Sequence, residues 1–426
     1  MEKYKEYKDS GVQWLGEIPS HWKCIPIRRI AQVNPLRKKQ LNKDDIVGYA
    51  PMDRIRCDKM TPTIITVSKL TSGLTYCESG DIVLAKVTPC FENGNVAIVP
   101  TVENGCCFGS SELFVFRAKS IVNVRFLFYT FLNKGFIDAG ASTMRGTGGL
   151  KRVTTEFANN APIPLPFKSE QHSIVSYLDT KCSQLDTLLS NKEKEILLLQ
   201  EMKQRVIADA VTRGVNPNVK FKATNIPWLP EIPEHWSLLR NKSFMRQTDE
   251  KVGKRKDITL LSLTKQGVVV RDLTEGKGKF PKDFETYLIV KPNNLVFCLF
   301  DVDETPRTVG LVRHDGMVTG AYSNFEIIET KVLPDFAYYY YLQIDDIKGL
   351  RPFYTGLRKV VKANTFAQLR VPVPPLSEQR AIVSYITERA SKIDALIEKL
   401  TKEIESIKEY KQRLISDVVT GQVKVC

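Results

Sequence analysis

The 426-residue sequence predicts an α+β protein: two tandem mixed α/β domains separated by two long antiparallel coiled-coil helices, related by a pseudo-two-fold. Three observations predict it. The chain repeats itself once along its whole length. Each copy carries a proline step followed by sustained heptads. Each proline step is preceded by short apolar runs broken by Gly, Pro and Asn.

The repeat is explicit. Residues 14–22 read WLGEIPSHW and residues 228–236 read WLPEIPEHW, identical at seven of nine positions. SEQHSIVSYL at 169–178 returns as SEQRAIVSYI at 377–386, and KQRVIADAVT at 203–212 returns as KQRLISDVVT at 411–420, each identical at seven of ten. The offset is 214 for the first pair and 208 for the other two, so copy one holds about six extra residues in between. Weaker echoes join Gly149-Leu150-Lys151-Arg152-Val153 to Gly356-Leu357-Arg358-Lys359-Val360, and Val124–Leu132 to Pro334–Leu342. A self-similarity of this kind has to be found first, because it sets the architecture.

Within each copy, runs such as Ile82-Val83-Leu84-Ala85, Leu113-Phe114-Val115-Phe116 and Leu295 to Phe300 read as strands. Helical stretches near 123–138 and 334–348 interrupt them. The prolines at 162, 164 and 166, and at 372, 374 and 375, then stop whatever precedes them and admit a helix start. Ser169 and Ser377 are N-cap candidates with an acid behind them, and Gly214 and Gly421 are natural stops.

The expected seam of the first helix is Val175, Leu178, Cys182, Leu185, Leu189, Lys192, Ile196, Leu199, Lys203, Val206 and Ala210. That of the second is Val383, Ile386, Ala390, Ile393, Ile397, Leu400, Ile404, Ile407, Lys411, Leu414 and Val418. Nine and ten of these eleven positions are apolar, a coiled-coil pattern held for five heptads. A parallel in-register pair would oppose the equivalent lysines Lys203 and Lys411; an antiparallel pair sends them to opposite ends. The alternative is that each helix packs on its own globular domain or on another protein. The expected segments are 1–168 and 215–376 for the globular domains, and 169–214 and 377–426 for the helices.

Lys and Arg number 62 against 48 Asp and Glu, a net charge of +14. The surplus is +7 in each copy, as expected if both meet the same kind of polyanionic partner. No run approaches the roughly 18 apolar residues of a membrane span, and the N-terminal MEKYKEYKDSG has no apolar core of a signal peptide. The nine cysteines are odd in number and form no Cys-x-x-Cys pair. They read as reduced packing residues of a cytoplasmic protein rather than as a disulfide or zinc framework.

The duplicated order of Trp-Leu-x-Glu-Ile-Pro-x-His-Trp block, globular segment, proline step and Ser-Glu-Gln helix resembles the specificity subunit of type I restriction-modification systems, over essentially the whole chain. The resemblance implies two target recognition domains, each reading one half of a bipartite double-stranded DNA sequence. It implies paired helices that set the half-site spacing and dock two methyltransferase subunits, with two restriction/translocase subunits as further partners. It also implies no cofactor on this chain: S-adenosylmethionine would belong to the methyltransferase subunits, and ATP and Mg to the nuclease subunits. A four-residue insertion in such a spacer would move one module by about 6 Å, near two base-pair steps of roughly 3.4 Å, and also rotate it.

Catalysis on this chain finds little support in the residues. The only adjacent prolines, Pro374-Pro375, sit in Val-Pro-Pro-Leu rather than in the Asn/Asp-Pro-Pro-aromatic turn of adenine methyltransferases. The Gly-Lys pairs at 253, 276 and 278 are followed by Arg, Gly and Phe, not by the Ser or Thr of a P-loop. Asp257 with Glu275-Gly276-Lys277 fits a degenerate nuclease pattern, the one sequence argument for the alternative of a nuclease or modification enzyme with two coupled sites. His21 and His235 are repeat-equivalent beside Trp22 and Trp236, which points to packing rather than catalysis.

DNA contact needs basic side chains and close backbone approach. The best candidates are the glycine-basic loops before each proline step. In copy one these are Arg145, Gly148, Gly149, Lys151 and Arg152; in copy two, Thr355, Gly356, Arg358 and Lys359. A solvated turn before a strand is the other reading of these loops. Lys86, Arg307 and Arg313 are weaker candidates.

Overall fold

A computed structural model describes residues 2–147, 149–271 and 283–425. Gly148, among the candidate DNA-binding residues, and Glu275-Gly276-Lys277 of the nuclease pattern lie outside the described residues. The chain divides into two compact units, Met1–Glu193 with Lys402–Cys426, and Lys194–Thr401. Among the described residues no helix is long and apolar enough to cross a membrane.

Each unit is built on the same four-stranded antiparallel sheet. In the first unit the strand order is Val96–Ile98, Ile82–Ala85, Leu113–Ala118, Ala31–Val33; in the second it is Val309–Leu311, Leu295–Phe297, Ser323–Ile327, Met245–Thr248. One central strand of each sheet, Ile82–Ala85 and Leu295–Phe297, is apolar at every position because both faces are covered. Ile82 and Leu84 enter one core cluster, and Val83 and Ala85 another. Leu295 and Phe297 likewise face away from Val296. On the first face lie helices Val124–Phe131 and Lys134–Ser142 in the first unit and Pro334–Asp346 in the second.

The copies diverge on the other face. The first unit places a second four-stranded sheet there, ordered Thr63–Thr66, Ile46–Ala50, Cys106–Gly109, Thr75–Glu78. The second unit has two separate pairs, Leu261–Thr264 with Gly267–Val270 and Leu288–Val290 with Gly316–Val318. The eight described cysteines are free, and five of them are buried.

The long helices run Lys168–Arg213 and Leu376–Val419, with 46 and 44 residues. All eleven seam positions in each are buried or half-buried. Pairing is antiparallel. In the first unit Lys411 Nζ donates to both carboxylate oxygens of Asp186 (2.6 and 2.8 Å), and Lys192 pairs with Glu403. In the second unit Lys203 Nζ donates to Asp394 at 2.7 Å. The seam lysines are thus neutralised across the pair, and the two Lys–Asp contacts are each other's equivalents at the 208-residue offset. Both helices start two residues earlier than caps at Ser169 and Ser377 would place them. Backbone carbonyls of Phe167 and Pro375 accept the first amides instead, from Gln171 at 2.9 Å and from Glu378 and Gln379 at 2.9 Å.

The repeated Ser-Glu-Gln block explains itself here. Gln171 is 1% exposed. Its Nε2 donates to the carbonyls of Pro166 (3.0 Å) and Ile121 (3.3 Å), and its Oε1 accepts from Asn123 N at 2.7 Å. Gln379, fully buried, repeats this with Pro374 (2.9 Å), Lys331 (3.1 Å) and Leu333 N (2.8 Å). One side chain therefore ties the proline step, the start of a long helix and the start of a globular helix together. The neighbouring acids do the same for the Trp blocks. Glu170 accepts from Trp22 Nε1 at 3.0 Å with His21 Nε2 at 3.1 Å, and Glu378 accepts from Trp236 Nε1 at 3.1 Å with His235 Nε2 at 2.7 Å.

The far end of the other helix closes each joint. Gly214, at φ +77°, ends the first helix beside Glu378 and Trp236; Gly421, at φ +76°, follows the second beside Pro19 and Trp22. An added Cβ at Gly421 would meet Pro19 Cδ at 2.4 Å, so the stop doubles as a close approach.

Candidate nucleic-acid interface

The glycine-basic loop of the first unit is the turn of a hairpin. Arg145 and Arg152 exchange backbone hydrogen bonds of 3.0 and 2.9 Å, and Gly146 folds so tightly that a Cβ would lie 2.4 Å from Leu150 O. Thr88 clamps the turn from the side. Its Oγ1 donates to Gly149 O (2.7 Å) and accepts from Lys151 N (3.0 Å), while its own N–H donates to Lys151 O (2.9 Å). Lys86, distant in sequence, lies at the same place: Val153 N donates to Lys86 O at 2.8 Å, and the Lys86 ammonium lies 5.6 Å from the Phe114 ring centre.

Charge in this group is only partly neutralised. Arg152 makes a bidentate pair with Glu112 (2.9 and 2.8 Å), and that hydrogen bonding holds the Glu112 carboxyl below its ordinary range. Among the described residues Arg145 and Lys151 have no acidic partner. Lys151, Arg145 and Gly149 are exposed.

The second unit builds the same hairpin with different electrostatics. Tyr354–Thr355 pairs with Val360–Val361, and Gly356 takes φ +75° at the turn. Asp301 N donates to Arg358 O at 2.8 Å, the counterpart of Thr88 N to Lys151 O. The clamping segment is acidic here. Asp301 pairs with Arg358 at 3.1 Å, and Glu304 and Asp303 pair with Lys359 at 2.5 and 3.2 Å. Asp303 also binds Arg351 (2.9 Å) and the Tyr354 hydroxyl (3.1 Å). The Arg351 hydrogen bond, aided by those of Lys359 and Tyr354, lowers the Asp303 carboxyl; Glu304, then Asp303, raises the Lys359 ammonium. Thr355 is exposed at the stem.

Arg307 and Arg313 stand elsewhere in the second unit's framework. Arg307, 18% exposed, bonds Asp345 (3.2 Å) and Asp346 (3.0 Å) at the C-terminal end of helix Pro334–Asp346, and Arg313 bonds Asp335 (2.5 Å) at its start. Sequence reasoning brought forward neither Thr88 and Glu112 nor Asp301, Asp303 and Glu304, which fix the two hairpins. For Glu170 and Gln171 the signal was present in the duplicated Ser-Glu-Gln block. Among the described residues no three His, Cys, Asp or Glu side chains group as metal ligands.

The chain matches the family described as type I restriction modification DNA specificity domain over residues 19–198 and 303–406, more than half its length and one segment in each copy. It is 33% identical over 229 residues to the EcoAI type I restriction enzyme specificity subunit of Escherichia coli, covering 52% of this chain and 37% of that one. The chain thus spans about a third of the first E. coli relatives it matches, EcoEI being covered to 30%. Against the putative MjaX specificity subunit of Methanocaldococcus jannaschii it is 26% identical over 100% of this chain and 99% of that one. Two solved structures share the fold. One is a chain from a study of complex assembly and conformational transition of the type I R-M system, with a TM-score of 0.72, 16% identity, and 95% and 99% of the two chains covered. The other is the HsdS subunit from Thermoanaerobacter tengcongensis, with a TM-score of 0.52, 17% identity, and 95% and 98% covered. With the duplicated sheet, the paired long helices and a family match falling on both copies, the chain belongs to the type I restriction-modification DNA specificity family.

Proposed function

We propose that this chain is the DNA-specificity subunit of a type I restriction-modification complex and is itself non-catalytic. Each globular domain reads one half of a bipartite duplex target. The long helices set the number of unread base pairs between the halves and dock two methyltransferase subunits; two restriction/translocase subunits join for cleavage. S-adenosylmethionine, ATP and Mg are held by those partners, and the complex works in the cytoplasm. The observation that carries this reading is the family match repeated on both copies of one frame. The equal surplus of positive charge in the copies supports it. So do Leu197, Leu198 and Met202, apolar side chains left exposed on the first long helix at 58%, 64% and 49%.

The test is co-expression with a methyltransferase partner followed by mapping of methylated adenines. A split motif modified only when this chain is present is expected; modification or cleavage by the chain alone would overturn the proposal.

Within it, the first hairpin contacts phosphate. Lys151→Ala with Arg152→Ala should weaken binding of the complex to its target and flatten log K against log salt by about 0.9 per lost phosphate contact. Lys151 supplies most of the change, since Arg152 is already paired with Glu112. An unchanged affinity and slope would remove the hairpin from the interface.

A further inference from the structure

The two hairpins share one feature that neither charge nor backbone closure requires. At the tip of each, between the positive-φ glycine and the basic pair, stands an exposed leucine: Leu150, 57% exposed, and Leu357, fully exposed. A single exposed leucine is ordinary on a protein surface. Here the same residue occupies the same position in two copies whose clamping segments have diverged from Thr88 to Asp301 and whose surrounding charges differ.

The tips are also held rigidly. In the first unit all the backbone hydrogen-bonding groups that flank Leu150 and face Thr88 are engaged: Gly149 O, Lys151 N and Lys151 O. In the second, Lys359 N donates to Gly356 O at 3.1 Å and Arg358 O accepts from Asp301 N. The apolar side chain is presented from a fixed turn instead of folding back onto the sheet. Basic groups flank it in both units: Arg145 and Lys151 without acidic partners among the described residues and Arg152 paired with Glu112 in one, and Arg351, Arg358 and Lys359 paired with Asp301, Asp303 and Glu304 in the other.

An exposed apolar tip on a closed turn beside basic side chains matches one way proteins open a base step: polar and basic groups hold the backbone and the apolar side chain enters the stack. We propose that Leu150 and Leu357 are wedges, each inserting into the base stack of its own half-site and partly unstacking one step. The inference rests on the DNA-reading function proposed above and adds to it a distortion of the duplex at both half-sites. Part of the specificity then comes from how easily a step unstacks, without hydrogen bonds to its bases.

The test uses the full chain in complex with its methyltransferase partner. The probe is a duplex bearing the mapped target, with 2-aminopurine beside, not at, the methylated adenine of either half-site. Binding of the wild-type complex should raise fluorescence in both half-sites. Leu150→Ala should abolish the rise in one half-site only and Leu357→Ala in the other. Each should weaken binding roughly tenfold, the order expected for one leucine left unburied, and Leu→Met should restore most of it. The salt slope should stay at the wild-type value, since no phosphate contact is lost. Thermal unfolding midpoints should not move, the side chains being exposed.

Alanine variants that bind within about twofold of wild type and keep the fluorescence rise would overturn the wedge. So would an affinity loss without a fluorescence change, which assigns the leucines to thymine-methyl contact in a groove. Either result leaves sequence-specific binding in place. Its absence in the wild-type complex would instead overturn the function on which the wedge rests.

Discussion

Replacing Gln379 with Leu should unfold the second unit well before any surface substitution does. The side chain is fully buried, and its amide satisfies Leu333 N, Lys331 O and Pro374 O. Leucine fills a similar volume and bonds none of them. Each buried backbone group left without a partner costs about 1–3 kcal/mol. Relaxation and water recover part of this, so a total loss of about 3–5 kcal/mol is expected. Gln171→Leu should do the same to the first unit, through Asn123 N, Ile121 O and Pro166 O. The two effects should appear as separate destabilised transitions in denaturant, one for each variant. A loss below about 1 kcal/mol in both would mean that the Ser-Glu-Gln block is not the joint between the proline step and the globular helices.

A full heptad inserted in each long helix should change what the complex modifies, not whether it folds. After Leu198 and after Glu398 the insertions face each other, because Lys203 meets Asp394 and Lys411 meets Asp186 in one antiparallel register. Seven residues keep the seam in phase and add about 10.5 Å. At roughly 3.4 Å per base pair, this corresponds to a target gap about three base pairs longer. Methylated-adenine mapping should find both half-site sequences unchanged and farther apart, with the original site modified at least about 100-fold more slowly, as a misplaced half-site gives up several base contacts. Continued modification of the original target would refute the spacer role and leave sequence reading by the globular domains intact.

The frame was largely legible in the sequence, and the recognition surface was not. A seam of eleven positions survives in the letters because a helix contacts its partner at a fixed period, and the prolines and glycines mark its ends. The order of strands was hidden. Ile82–Ala85 and Leu295–Phe297 are apolar on both faces, and such strands announce burial without naming their neighbours.

The candidate cations show the same limit from the other side. Arg307 and Arg313 sit in stretches that look like exposed turns, yet their acids come from 22 to 39 residues farther along the chain. Arg358 and Lys359 echo Lys151 and Arg152 letter for letter in kind, but Asp301 and Glu304, 57 and 55 residues upstream, neutralise them. Charge pairing at that separation is a property of the folded chain. Lys86, an isolated basic residue in the sequence, is carried by the sheet to the first hairpin.

The interlaced core also sets an order of events during synthesis. The first compact unit draws Leu414, Ile415, Val418 and Val419 into the same cluster as Trp22, Phe126 and Leu178. Until residues 402–425 leave the ribosome, that cluster lacks one wall, although most of the unit was made first. The second unit closes on residues 194–401 alone. The half translated later is therefore complete earlier, and the nascent chain carries an unfinished apolar face for roughly two hundred codons, a period in which a chaperone would be its natural cover.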